Sequence, residues 1–156
     1  MFTFKEIYSA YLRCRKGKRN THNALKFEIN LSENICNLET SLNSRTYTPK
    51  RSVCFLTTSP KLREVFAADF SDRVVHHLIT PVLEQIYEPK FIHDSYSCRV
   101  GKGIHNAQKR ALHFSKSSNF YLQLDIKNFF YSIDKNLLFK MLNKTIVQNY
   151  EKVKNS

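Results

Sequence analysis

The residues whose types could support chemistry gather in one stretch, Tyr121 to Asp134, which reads YLQLDIKNFFYSID. Its first half alternates. Tyr121, Gln123 and Asp125 point one way and Leu122, Leu124 and Ile126 the other, the two-residue period of a strand with one buried apolar face. Asp125 closes the run, where a strand delivers a carboxylate to the edge of a sheet. Read by itself, such a carboxylate satisfies a turn. Lys127 and Asn128 break the alternation, Phe129 and Phe130 follow, and Asp134 is placed to cap a helix starting at Lys135.

Other chemistries find less support. The four cysteines, Cys14, Cys36, Cys54 and Cys98, are scattered among apolar or helical neighbours, and buried free thiols are expected. The six histidines include the pair His76-His77 but no zinc spacing. The charge is more telling. Twenty-five Lys and Arg against 13 Asp and Glu give +12, which favours a polyanionic partner, nucleic acid before an anionic membrane. No apolar run approaches the ~20 residues of a membrane span, and MFTFKEIYSAYLRCRK lacks the apolar block of a signal peptide, so no membrane and a cytoplasmic location are expected.

The elements that must position these residues are mostly helical. Phe4, Ile7, Tyr8, Tyr11 and Leu12 predict a helix over 4–16 that ends in the basic cluster RKGKR. Leu25, Ile29, Ile35, Leu38 and Leu42 predict one longer helix over about 22–43. Val53–Thr57 and Leu62–Ala67 read as an antiparallel hairpin with Pro60 in the turn and Lys61 and Arg63 just past it. Ser71 or Asp72 opens a helix, DRVVHHLITPVLEQIYE, in which Pro81 implies a kink or a restart. A loop over 89–103 follows, then a helix over about 104–116 with Ile104, Ala107, Ala111 and Leu112 inward. The strand at 121–126 comes next, and then a last helix marked by Leu137, Leu138, Met141, Leu142 and Ile146.

In order, the hairpin PKLREVFAADFSDRVVHH, the segment LEQIYEPKFIHDSYSCRVGKGIHNA and the strand YLQLDIKNFFYSID resemble the fingers and first half of the palm of a bacterial reverse transcriptase. The group II intron and diversity-generating retroelement branches are the most similar. The resemblance covers about Tyr47 to Leu142. It implies an α+β fold, helix-rich with a short antiparallel hairpin. Residues 1–46 would be a helical N-terminal extension, 47–120 the fingers, and 121–156 the start of the palm with motif A.

Carried over by position, the resemblance makes Asp125 the catalytic carboxylate that holds two Mg²⁺ ions, with the Ile126 carbonyl as a further ligand. Main-chain groups around Asn128, Phe129 and Phe130 would receive the deoxynucleoside triphosphate, under Lys61 and Arg63 of the hairpin. Phe130 would be the steric gate beneath the sugar, while Phe129 reads better as core. Arg73, Arg99 and Lys102 would touch phosphates of the RNA template and DNA primer. The chain contains no Tyr-x-Asp-Asp, the source of further carboxylates in the family. It is therefore expected to be a truncated product, an excised fragment or one part of a split enzyme, inactive alone, and either self-associating or awaiting a C-terminal palm and thumb chain. The alternative is a non-catalytic basic module that binds nucleic acid. If about five phosphates are neutralised, log K should fall against log salt with a slope of roughly −3.5 on single strands.

Overall fold

The computed structural model describes residues 1–59 and 62–154. It is α+β, rich in helix with one two-stranded antiparallel hairpin among the described residues. Two compact units divide it, Met1–Glu84 and Gln85–Ser156.

In the first unit α1 spans Phe4–Arg15. Thr3 and Glu6 cap it reciprocally. The Glu6 N–H donates to Thr3 Oγ1 at 3.4 Å, and the Thr3 N–H donates to Glu6 Oε2 at 2.8 Å. The buried stripe is Ile7, Ala10, Tyr11 and Cys14. Phe4, Tyr8 and Leu12, expected on that face, are 38–48% exposed, because the buried stripe runs through Ala10 and Cys14 instead. The single helix expected over 22–43 is two, α2 at His22–Ile29 and α3 at Leu31–Asn43. Asn30 breaks the path at φ −120°, ψ 47°. The Asn34 side-chain amide donates to the Phe27 carbonyl at 2.9 Å, serving an acceptor that the broken helix leaves open. The break turns Leu25 and Ile29 outward and lets Ala24, Phe27, Ile35 and Leu38 face the core.

β1, Val53–Thr57, pairs with β2, Arg63–Ala67, with Phe55 opposite Val65 and Thr57 opposite Arg63. Pro60 and Lys61 lie outside the described residues. α4, Phe70–Tyr87, starts earlier than Ser71 or Asp72. Asp69 stands ahead of it, its Oδ1 accepting from the Ser71 N–H at 2.9 Å and the Ser71 hydroxyl at 2.6 Å. Asp72, 3% exposed, instead accepts from the Tyr47 hydroxyl and, through Oδ2, from the Lys50 N–H at 2.9 Å. Burial first, and then the Asp72 carboxylate, push the Tyr47 phenol upward.

Pro81 neither stops nor restarts α4. A proline has no N–H for the carbonyl four residues back, here that of His77. Arg13 supplies the missing donor, with Nη2 at 3.0 Å from His77 O. The core of this unit joins α1 to α4. Tyr11, Phe27 and Phe70 form an aromatic cluster with centroids 5.2–6.5 Å apart, packed with Ile7, Ile35, Val74, Val75 and Leu78. Fully burying one such aliphatic side chain stabilises by about 1.5–3 kcal/mol.

The second unit has no buried residue among those described. A 3-10 turn at Glu88–Lys90 leads into a loop, then α5 at Ile104–Ser115, α6 at Phe129–Ser132 and α7 at Lys135–Lys154. Asp134 caps α7 as expected, its Oδ1 accepting from the N–H groups of Asn136 at 2.8 Å and Leu137 at 3.1 Å. Ile104 and Leu112, expected to face inward, are exposed, as are Leu137, Leu138, Met141 and Ile146. Of the four thiols only Cys14 is buried; Cys36, Cys54 and Cys98 are exposed, contrary to the expectation from their neighbours. Among the described residues no helix is long and apolar enough to cross a membrane.

Candidate nucleic-acid and catalytic site

The run 121–126, expected to be a strand, has no regular secondary structure. A strand needs a neighbour for its backbone groups, and the one ladder among the described residues is β1 with β2. Leu122, Leu124 and Ile126 are 81%, 82% and 64% exposed. Asp125 is exposed, and its Oδ1 accepts from the Ile126 N–H at 3.0 Å. Asn128 then takes a left-handed conformation, φ 52° and ψ 37°, which Asn tolerates better than most side chains. Its carbonyl accepts from the N–H groups of Tyr131 at 2.9 Å and Ser132 at 3.0 Å, and α6 starts there. Phe129 and Phe130 present tilted rings with centroids 5.5 Å apart. Phe129 is half exposed and Phe130 is 84% exposed, so neither packs in a core among the described residues.

Two Mg²⁺ ions need several carboxylate oxygens converging on them. Among the described residues no three His, Cys, Asp or Glu side chains come together as a metal site. Asp125 is one donor, and the residues present do not fit a two-metal centre.

The cations expected to meet phosphate have diverse surroundings. Lys61 lies outside the described residues. Arg63 is exposed on β2. Arg73 is half-buried on α4, its guanidinium 5.3 Å from the Phe70 ring centroid and its Nε buried with no hydrogen-bond partner. Arg99, with a side chain 10% exposed, is enclosed by the loop over 88–103. Its Nε and Nη2 reach Glu88 Oε1 at 2.9 and 2.8 Å, and Nη1 donates to the carbonyls of Ile92 at 2.9 Å and Ser95 at 3.1 Å. Lys102 Nζ donates to the His93 carbonyl at 2.7 Å and lies 5.0 Å from the Tyr96 ring centroid.

The same loop employs residues that sequence reasoning passed over. Arg110 Nε donates to Asp94 Oδ1 at 2.9 Å, and the Tyr96 hydroxyl donates to the same oxygen at 2.9 Å. The Arg110 bond first, and then that of Tyr96, hold the Asp94 carboxyl down at about 2. Asn106 Nδ2 donates to the Gly101 carbonyl at 2.8 Å. Alternating acids and bases across a glycine-containing loop were the available signal, but the pairs are 11 to 16 residues apart and no local period marks them. Tyr96, Lys102, Asn106, Lys109 and Arg110 line a shallow cationic cleft over α5. The structure therefore brings Arg99 and Lys102 into one loop, and joins Asp125 to Phe130 through one short segment. Arg63 and Arg73 belong to the first unit.

No model of a known protein family matches the chain. Among curated proteins it is similar to the group II intron-encoded protein LtrA of Lactococcus lactis subsp. cremoris, 29% identical over 117 residues. The match covers 73% of this chain and 20% of that protein. An uncharacterized 91 kDa protein in the cob intron of Schizosaccharomyces pombe is 30% identical over 100 residues, which is 64% of this chain and 12% of that protein. The chain spans about a fifth or less of the length of these relatives. Both similarities lie in the direction of the motif resemblance: the chain is similar to intron-encoded proteins over most of its length.

Proposed function

We propose that this chain is the fingers and opening palm segment of an RNA-directed DNA polymerase of the group II intron type, preceded by a helical extension. The observation that carries the reading is similarity to intron-encoded proteins along most of the chain, together with three motifs in order. In the parent protein the partners are an RNA template, a DNA primer and deoxynucleoside triphosphates. Asp125 contributes one carboxylate to the catalytic centre, and Phe130 forms the floor under the sugar. By motif position alone, Lys61 and Arg63 are assigned to the triphosphate, and Arg73 and Lys102 to strand phosphates. The exposed aromatic face of Phe130 is compatible with a contact to substrate and is not explained by packing.

A second reading, favoured by the net charge of +12, is a basic nucleic-acid-binding module derived from such an enzyme. The two separate in a parent-length protein that carries this segment. Under the polymerase reading, Asp125→Asn brings primer extension to background while template binding survives. Phe130→Val retains deoxynucleotide incorporation at a reduced rate and raises ribonucleotide incorporation, because exclusion of the 2′-hydroxyl is steric. Undiminished extension by Asp125→Asn removes the catalytic assignment. An unchanged ratio of the two incorporation efficiencies in folded Phe130→Val removes the steric gate.

A further inference from the structure

Two sequence features find no use in the polymerase reading, the RKGKR cluster at the end of α1 and the pair His76-His77. The first unit brings them together. Arg13 reaches from α1 to the His77 carbonyl at 3.0 Å, so the end of α1 is fastened to the middle of α4 at the Pro81 gap. The basic cluster divides there. Arg15 turns away to Glu28, with Nε 2.5 Å from Oε1. Lys18 is close enough to α4 for its charge to act on His77, and Arg73, His76 and His77 follow one another along that helix. Neither Arg73 nor Lys18 has a carboxylate partner among the described residues. Arg73 keeps a buried Nε without an acceptor and has only the Phe70 ring beside its guanidinium.

Every charged group that faces His77 is basic: Lys18 and Arg13 from the α1 side, His76 and Arg73 from α4. Burial first, and then these cations, push the His77 imidazole below its ordinary value. Like charges gathered without counter-charge repel one another. A bound anion relieves that repulsion.

We propose that this α1–α4 seam is a binding site for the phosphates of single-stranded RNA, with Arg13, Lys18 and Arg73 as fixed cations and His77 as the proton-dependent one beside His76. The site stands on the first unit's own geometry; naming the polyanion as RNA rests on the function proposed above. A long polyanion suits a chain with a net charge of +12 better than an isolated small anion does.

Linkage fixes the sign. A phosphate beside His77 favours the imidazolium, so binding raises a value that is depressed in the free protein. By reciprocity, protonation tightens binding. Affinity therefore climbs as pH falls through the histidine range and levels off above it. A rise of one unit at one histidine corresponds to about tenfold in affinity.

The test uses the full 156-residue chain and a short fluorescent oligouridylate at constant ionic strength, from about pH 8 to about pH 5.5. The expected result is affinity about tenfold or more tighter at the acid end, and a flattened response in the His76→Gln/His77→Gln double variant. An NMR titration of the wild-type His77 ring gives an independent reading that needs no variant. The oligouridylate should move its midpoint upward, and Lys18→Gln should move it upward without ligand. The proposal is overturned by a pH response that persists unchanged in the folded double variant, or by a His77 midpoint that ignores the oligouridylate. It is equally overturned if anionic phosphatidylserine vesicles move that midpoint while RNA does not. Because the last two outcomes are read on the ring itself, they stand apart from any failure of primer extension in the parent protein.

Discussion

Replacing Arg99 by lysine keeps the charge and removes the fork. A guanidinium presents its donors in a plane, and Arg99 uses that plane to reach Glu88, Ile92 and Ser95 at once, with contacts of 2.8–3.1 Å. A lysine ammonium is a point charge and cannot span all three. The Glu88 side chain is 45% exposed, so the ion pair contributes only about 0–1 kcal/mol. The two carbonyl bonds come from a charged donor whose side chain is 10% exposed, and such bonds contribute about 1.5–3 kcal/mol each. Water recovers part of this once the loop opens, which leaves roughly 2–4 kcal/mol against local opening. That corresponds to about 30- to 700-fold faster exchange at the loop amides that are hydrogen-bonded in the closed form. Ser95, Lys102 and Gly103 are the reporters, bonded to the carbonyls of Ile92, Arg99 and Tyr96 at 3.1–3.2 Å. Hydrogen exchange resolved by residue measures it. Wild-type exchange at these three amides in Arg99→Lys would refute the clamp and return Arg99 to the role of a free phosphate-binding cation.

Tyr47→Phe leaves the 3%-exposed Asp72 short of a donor and should destabilise the first unit by about 1–3 kcal/mol, read from chemical denaturation. The Tyr47 phenol is raised in the folded state, so its contribution is complete below about pH 10 and is lost as pH rises beyond that. Asp94 is opposite in sign. Its carboxyl sits at about 2 in the fold against about 3.9 unfolded, so its contribution is present above the higher value and disappears as pH falls through the lower. Loop amide exchange should accelerate over that window and be indifferent to it in Asp94→Asn. Arg13→Gln should weaken the first unit, and the loss should shrink in a Pro81→Ala background, where residue 81 regains an N–H for the His77 carbonyl. Additive losses in that double-mutant cycle would remove Arg13 as the stand-in donor.

What the sequence disclosed was local. The Asp134 cap, the β1–β2 hairpin and the start of α5 depend on residues within a few positions, and each was legible. The break at Asn30 was not, because the apolar period runs on through it and only the Asn34 amide, folding back to Phe27, marks the end of α2. Pro81 read as a kink or a restart because its remedy, Arg13, lies 64 residues from the carbonyl it serves. For the candidate site, alternation located the segment 121–126 but could not supply the neighbour that a strand requires. Arg99 could be read as a cation; its enclosure depends on Glu88, Ile92 and Ser95, and no spacing rule announces it.

The uncovered segment Tyr121–Ile126 has a colloidal consequence. Its apolar-polar alternation, free of proline and glycine, is the kind of window that stacks in register with copies of itself into cross-β ribbons. Asp125 is the single charge within it and Lys127 stands just beyond; in a stack, every Asp125 faces another of the same sign across one strand spacing of about 4.8 Å. The side chain proposed for chemistry is thus also a gatekeeper that keeps chains apart. Asp125→Asn removes both properties at once, so that variant should scatter light at concentrations where the parent sequence stays clear. Its solutions need that check before lost turnover is ascribed to the active centre.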